Sequence, residues 1–250
     1  MLECALPFAI RELSRAGYVV CEILYLLAVI DPPGSVRYAY PPRKTLGWIN
    51  VTHVCRRWRA IGLDLASLWA TNVSAFPNVN AFTQAAIARA RETDVVITLE
   101  RDLPEVNRAV FRDFVANSPG RIRELTDTVL NPRHWYKRMK NKDFPRLLVL
   151  SLTSHGSYTN DTPGTFSINA PNLRSLTLNE PTFAVVAPQL RSLCLRCKKN
   201  RMDCTLEVIL KSLRCAPNIE HLEVWVPLHI QSAAGVTGTV NLPHARYVEI

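Results

Sequence analysis

The chain has 250 residues, 48% of them hydrophobic and 20% charged, with a formal net charge of +9. That apolar content can offset chain entropy, which excludes wholesale disorder, and no apolar run reaches the roughly 20 residues of a membrane span. Seven scattered cysteines suit free thiols in a reducing compartment rather than a disulfide framework; with Glu3 and no basic stretch at the N-terminus, the expectation is a soluble cytoplasmic or nuclear protein.

After an N-terminal segment, residues 1–18, a first helix is expected. Val20, Ile23, Leu24 and Leu27 share one helical face, Ile30 extends it, and Asp31-Pro-Pro-Gly34 stops it. A proline- and tyrosine-rich insert covers 31–44. Val51, Val54, Cys55, Trp58, Ile61 and Leu65 then make an apolar stripe at helical spacing, with Arg56, Arg57 and Arg59 facing mostly away. Ser67-Leu-Trp69 ends the block, whose bounds are 19–75.

His53-Val-Cys-Arg-Arg-Trp-Arg-Ala-Ile61 followed by Ser67-Leu-Trp69 resembles the second half of an F-box, and Glu22-Ile-Leu24 resembles part of its first helix. Together with the leucine-rich phrases described below, nearly the whole chain resembles the large F-box-like family of mushroom-forming fungi. The resemblance implies a small all-α unit docking a Skp-type adaptor and its cullin complex, in a non-catalytic substrate-recognition subunit of a ubiquitin ligase. The residues it implies for the adaptor are Glu22, Ile23, Leu24, Leu27, Val54, Cys55, Trp58, Ile61, Leu68 and Trp69. Two departures stand out: Val19 and Val20 occupy the positions where the family carries Leu-Pro, and the insert is long.

A connecting helix is expected within 76–93. Val95, Ile97 and Leu99 alternate as a strand. Pro104 opens another helix with Val106, Val110 and Phe114 on one face, ended by Asn117-Ser-Pro-Gly120. Ile97, Ile122, Leu147 and Leu173 recur at steps of 25, 25 and 26 residues and read as equivalent anchors.

From residue 144 a phrase repeats: Phe144-Pro-Arg-Leu-Leu-Val-Leu-Ser-Leu152, Ala170-Pro-Asn-Leu-Arg-Ser-Leu-Thr-Leu178, Ala187-Pro-Gln-Leu-Arg-Ser-Leu-Cys-Leu195, Ala216-Pro-Asn-Ile-Glu-His-Leu-Glu-Val224 and, weakly, Leu242-Pro-His-Ala-Arg-Tyr-Val-Glu-Ile250. Apolar residues five and seven places after each proline share a strand face. A lone strand cannot bury such a face, whereas stacked copies can. The step size is that of leucine-rich repeats, with about seven units in residues 94–250. The asparagine position usual in such repeats holds His155, Pro181, Lys198 and Pro227 instead, so the array is irregular. Segment 205–213 fits a returning helix, and the 17-residue step between Pro171 and Pro188 leaves room only for a bare loop. The array is expected to be truncated, since it breaks off inside a strand-like copy. The fold expected is an α/β solenoid of irregular leucine-rich repeats preceded by the helical unit.

In that frame the residues alternating with the leucines line the concave face. Ser151, Thr153, Ser175, Thr177, Asn179, Ser192, Arg196, His221, Glu223 and Trp225 are the candidates for holding a protein substrate, with Trp225 as anchor. Cys194, Cys197, Cys204 and Cys215 resemble half of a zinc cluster, but its last cysteine pair is missing, so no metal or cofactor is expected. Arg121 to Arg146 holds eight basic and three acidic residues around Trp135-Tyr136; this reads as a solvated loop, with nucleic-acid binding the alternative. There is no phosphate-cradling glycine loop, no Gly-x-Ser-x-Gly and no His-Glu-x-x-His, so no enzyme is expected. The competing reading is a protein-binding repeat scaffold whose F-box no longer docks.

Overall fold

The computed structural model describes residues 15–36, 43–99, 103–129, 133–154, 167–179, 183–196, 206–225 and 241–249. The chain divides into two units, Met1–Thr93 and Asp94–Ile250. No helix among the described residues is long and apolar enough to cross a membrane.

In the first unit, helix α1 (Arg15–Ile30) stops at Asp31-Pro-Pro-Gly34, because proline cannot continue the backbone ladder. Short strands β1 (Gly34–Val36) and β2 (Arg43–Thr45) pair antiparallel, Gly34 opposite Thr45. The unit is therefore not purely α: the expected insert contains this ladder. A 3-10 helix (Gly47–His53) follows, then α2 (Arg56–Asp64), α3 (Ala66–Thr71) and α4 (Asn80–Arg89). The insert is pinned at its root. Trp48 N–H donates to Asp31 O at 2.9 Å, and Gly47 has φ +53° with the Asp31-Pro-Pro backbone pressed against it. The core is aromatic. Trp48 is wholly buried and meets Trp69 edge to face at 5.2 Å, while Trp69 Nε1 donates to Gly62 O at 2.9 Å. Val20, Cys21 and Leu24 of α1 complete it.

The second unit holds a seven-stranded parallel sheet: β3 (Val95–Leu99), β4 (Ile122–Val129), β5 (Val149–Ser154), β7 (Ser175–Asn179), β9 (Ser192–Arg196), β10 (His221–Trp225) and β11 (Tyr247–Glu249). The spatial order of these strands follows the chain without reversal. Two three-residue strands, β6 (Ser167–Asn169) and β8 (Ala184–Val186), pair in a separate parallel ladder. So the short step is not a bare loop, because β8 supplies it with a second strand. The helices are α5 (Glu105–Asn117), α6 (Arg133–Met139) and α7 (Leu206–Arg214). The architecture is thus mixed α/β with a mostly parallel sheet.

The repeated phrase now has a local cause. Each proline sits second in a β-turn, where its fixed φ is favoured: Leu147, Leu173, Leu190 and Ala245 N–H donate to the carbonyls of Phe144, Ala170, Ala187 and Leu242 at 3.0–3.3 Å. The ladder strand starts only after that turn, at Val149, Ser175, Ser192, His221 and Tyr247. The residue after proline ties copies together. Asn172 Nδ2 donates to Pro145 O at 2.6 Å, and Asn218 Nδ2 to Pro188 O at 2.8 Å. Asparagine links between copies therefore exist at these two steps, directly after the proline and not at the position that His155, Pro181, Lys198 and Pro227 occupy in the sequence.

Ile97, Leu125, Leu150, Leu176, Leu193 and Leu222 stand in one register row, and all are buried. This corrects the anchor series. Ile97 pairs with Leu125, while Ile122 pairs with Val95 ahead of a bulge. Ile122, Leu147 and Leu173 precede or open their strands, so Ile97 belongs to a different row. The second row reads Leu99, Asp127, Leu152, Leu178 and Leu195, with an aspartate where its neighbours carry leucine. Helix α5 is also one residue out of phase with expectation. It buries Asn107, Arg108, Phe111, Arg112 and Val115, while Val106 is 69% exposed. Two arginines are drawn inward because carboxylates await them there.

Candidate functional site

Parallel pairing in register converts the alternation of each strand into rows across one sheet face. The central row is Thr98, Thr126, Ser151, Thr177, Cys194, Glu223 and Glu249. Along β3 to β7 this face carries mainly hydroxyls: Ser151, Thr153, Ser175 and Thr177 are half-buried, and Thr153 Oγ1 donates to Thr128 Oγ1 at 3.3 Å. Ser192 is half-buried on the same face.

Towards β11 the chemistry changes. Arg196 Nε and Nη2 both donate to Glu223 Oε1, at 2.9 and 2.7 Å, and that hydrogen bond holds the Glu223 carboxyl below its usual range. His221 stacks on Tyr247 with ring centroids 4.6 Å apart and planes 8° apart. Trp225 stands opposite Arg196 in register and is 53% exposed. Asn179, across from Arg196 on the other side, has a buried Oδ1 with no hydrogen-bond partner among the described residues. Burial raises the Cys194 thiol, which stays protonated beside this pair. Arg196, His221, Glu223 and Trp225 are thus brought together with Tyr247 on β9 to β11. The hydroxyl residues lie along the same face on the earlier strands.

A second polar group was not expected from the sequence. Asp127 is fully buried on the opposite face of β4. Its carboxylate pairs with Arg108, whose side chain is 4% exposed, and accepts from Trp135 Nε1 at 2.6 Å. Arg108 also donates to Leu103 O at 3.1 Å and Thr128 O at 3.2 Å. Burial pushes the Asp127 carboxyl up, against the hydrogen bonds from Trp135 and Arg108. Nearby, Arg112 Nη2 donates to Glu105 Oε2 at 2.7 Å, and His134 Nδ1 lies 2.6 Å from Glu105 Oε1. The Arg112 hydrogen bond lowers the Glu105 carboxyl. These contacts tie α5 to α6 and both to β4. The signal was present in the repeat frame: an aspartate at a leucine position, with two arginines four apart on the preceding helix.

Trp135 is wholly buried in α6, so the stretch from Arg121 to Arg146 holds strand β4 and helix α6 and is not the expected solvated loop, and this ring offers no base a stacking surface. Cys197 and Cys204 lie outside the described residues. Cys215 is half-buried and unpaired.

In the first unit, Leu24, Ile61, Leu68 and Trp69 are buried in the core. Ile23, Leu27 and Trp58 are half-buried, and Glu22, Val54 and Cys55 are exposed. The apolar stripe of the sequence is therefore split: its end at Ile61 and Leu65 packs inside, and its start at Val54 and Cys55 faces out. Opposite the buried side of α1, an arc of Tyr18, Val19, Leu26, Val29 and Ile30 is exposed, with Val29 at 82% and the charged Glu22 among them. No family model, no curated protein and no solved structure matches the chain.

Proposed function

We propose that the chain is a non-catalytic substrate-recognition subunit of a cullin-RING ubiquitin ligase, its helical unit docking a Skp-type adaptor and its repeats holding a protein substrate. The observation that carries this reading is the apolar arc of α1. A monomeric surface rarely leaves a contiguous patch of large aliphatic side chains in water unless a partner covers it. The arc lies on the helix that carries Glu22-Ile-Leu24, the fragment that resembles the first F-box helix.

The finer description of the second unit, a leucine-rich solenoid, is supported by strand order that follows the chain, by turn-proline phrases and by asparagines linking consecutive copies. On its concave face the Arg196–Glu223 pair is exposed on the arginine side, where solvent screens it. It can be traded for contacts with a partner at little cost, while Trp225 supplies apolar area. The role is raised effective concentration, with the chemistry in other subunits.

The test is capture of the full chain by purified Skp adaptor. Wild type should be retained, and Leu26→Glu with Val29→Glu should lose retention while the circular dichroism spectrum is unchanged. No capture of folded wild type, or capture indifferent to the double variant, removes the ligase reading and leaves a repeat scaffold acting through the concave face alone.

A further inference from the structure

We infer that the edge of the sheet where the strands begin carries an oxyanion site that takes a phosphomonoester dianion. At the start of each strand a backbone carbonyl is handed to the next copy: Leu148 N–H donates to Arg123 O at 2.7 Å, Arg174 to Leu148 at 2.9 Å, Arg191 to Arg174 at 3.0 Å, and Glu220 to Arg191 at 2.8 Å. Adjacent copies are spaced by the strand repeat of about 4.8 Å, so side chains from neighbouring copies converge there. They line an open cleft of about 300 Å³, with Arg123, Arg146 and Arg174 beside Asp94, Asn172 and Gln189.

Charge and geometry both select the ligand. Arg146 Nη1 is 2.7 Å from Asp94, and Arg123 Nη2 is 3.1 Å from Glu124. The side chains of both pairs are one-third to more than one-half exposed, so solvent screens each pair and it yields readily to a stronger anion. No carboxylate pairs with the exposed Arg174 among the described residues. Asn172 is held by its bond to Pro145 O, which fixes that wall of the cleft. Three guanidinium forks around one small space suit the three oxygens of a phosphomonoester, whereas a carboxylate occupies one fork. The volume is at the lower end for ligand sites and admits one phosphate with its immediate carrier. The carrier is a phosphorylated side chain or a free small phosphate. The site stands on this geometry alone and does not depend on adaptor docking.

The probe is a fluorescein-labelled peptide, Gly-Gly-Gly-phosphoserine-Gly-Gly-Gly, titrated with the full chain and followed by fluorescence anisotropy. The expected result is saturable binding at least tenfold tighter than for the serine and glutamate versions. Affinity should weaken as pH falls through about 6, where the dianion takes up a proton. Arg174→Gln and, separately, Arg146→Gln should each weaken it tenfold or more, while Arg214→Gln on α7 should leave it unchanged. Competition by glucose 6-phosphate or inorganic phosphate at equal affinity assigns the site to a free phosphate; tenfold weaker competition assigns it to a phosphorylated side chain. No saturable binding to any of the phosphate probes, equal affinity for the glutamate peptide, or complete displacement by a decameric RNA at lower concentration overturns the inference.

Discussion

Replacing Asp127 by leucine restores the residue that its register neighbours Leu99 and Leu152 carry. By pattern alone the change adds a buried apolar side chain and about 1.5–3 kcal/mol of stability. The structure reverses the sign. Arg108 would keep its carbonyl partners but lose its countercharge in a site where its side chain is 4% exposed, and breaking one half of a buried pair costs about 3–5 kcal/mol. Trp135 Nε1 would lose its acceptor, a further ~1–3 kcal/mol. The net is a loss of about 2–5 kcal/mol. With a denaturant slope of about 2 kcal/mol per molar, the urea midpoint of the full chain should fall by roughly 1–2.5 M. Circular dichroism gives the midpoint, and amide exchange in β4 localises the loss. Adding Arg108→Met to Asp127→Leu should recover much of it, since an apolar replacement of the whole pair removes the stranded charge. A midpoint for Asp127→Leu equal to or above wild type refutes the assignment of the pair as structural.

Gly47→Ala should destabilise the helical unit by several kcal/mol, since its φ is +53° and a Cβ would lie 2.3 Å from Asp31 O and 2.6 Å from Pro32 C, both backbone atoms that cannot swing aside; a thermal midpoint within about 2 °C of wild type would contradict this. Glu105 has a depressed folded-state pKa, so the stability it contributes is present above its unfolded value near 4.3 and is lost as pH falls through the lower folded value. Stability measured from pH 6 to pH 3 should therefore decline less steeply for Glu105→Gln than for wild type, and parallel curves would show that Arg112 and His134 do not hold the carboxylate in solution. Trp69→Ala should cost about 3–5 kcal/mol as a buried aromatic, and Trp58→Ala markedly less because Trp58 is half-buried; chemical denaturation of the two variants side by side checks the ranking.

Much of the strand pattern was legible because it is local. Apolar alternation after a proline turn dictates a strand with one buried face, and recurrence of the phrase dictates that successive strands stack. The helix stop at Asp31-Pro-Pro-Gly34 is equally local, as proline lacks the N–H that the ladder needs. The polar rows followed once alternation was known, and so did the position of Trp225 on the same face as Arg196 and Glu223.

What the sequence left open depended on partners distant along the chain. Whether α5 turns Val106 or Arg108 inward is decided by Asp127, nineteen residues on, and hydrophobicity alone favours the wrong answer. Whether Trp135 stacks on a ligand or fills a core is decided by the same carboxylate. The phase of Ile97 was set by a bulge between Val95 and Val96, which no spacing count reveals. The arginine cleft exists because turns of different copies are brought side by side by register, and Arg123, Arg146 and Arg174 are unrelated in sequence until the sheet forms. By itself the sequence determined the repeating strand and its buried leucines, since those need only neighbouring residues. Tertiary structure decided which charges are buried, which are paired and which converge, because electrostatic partners are chosen by distance in space and not along the chain.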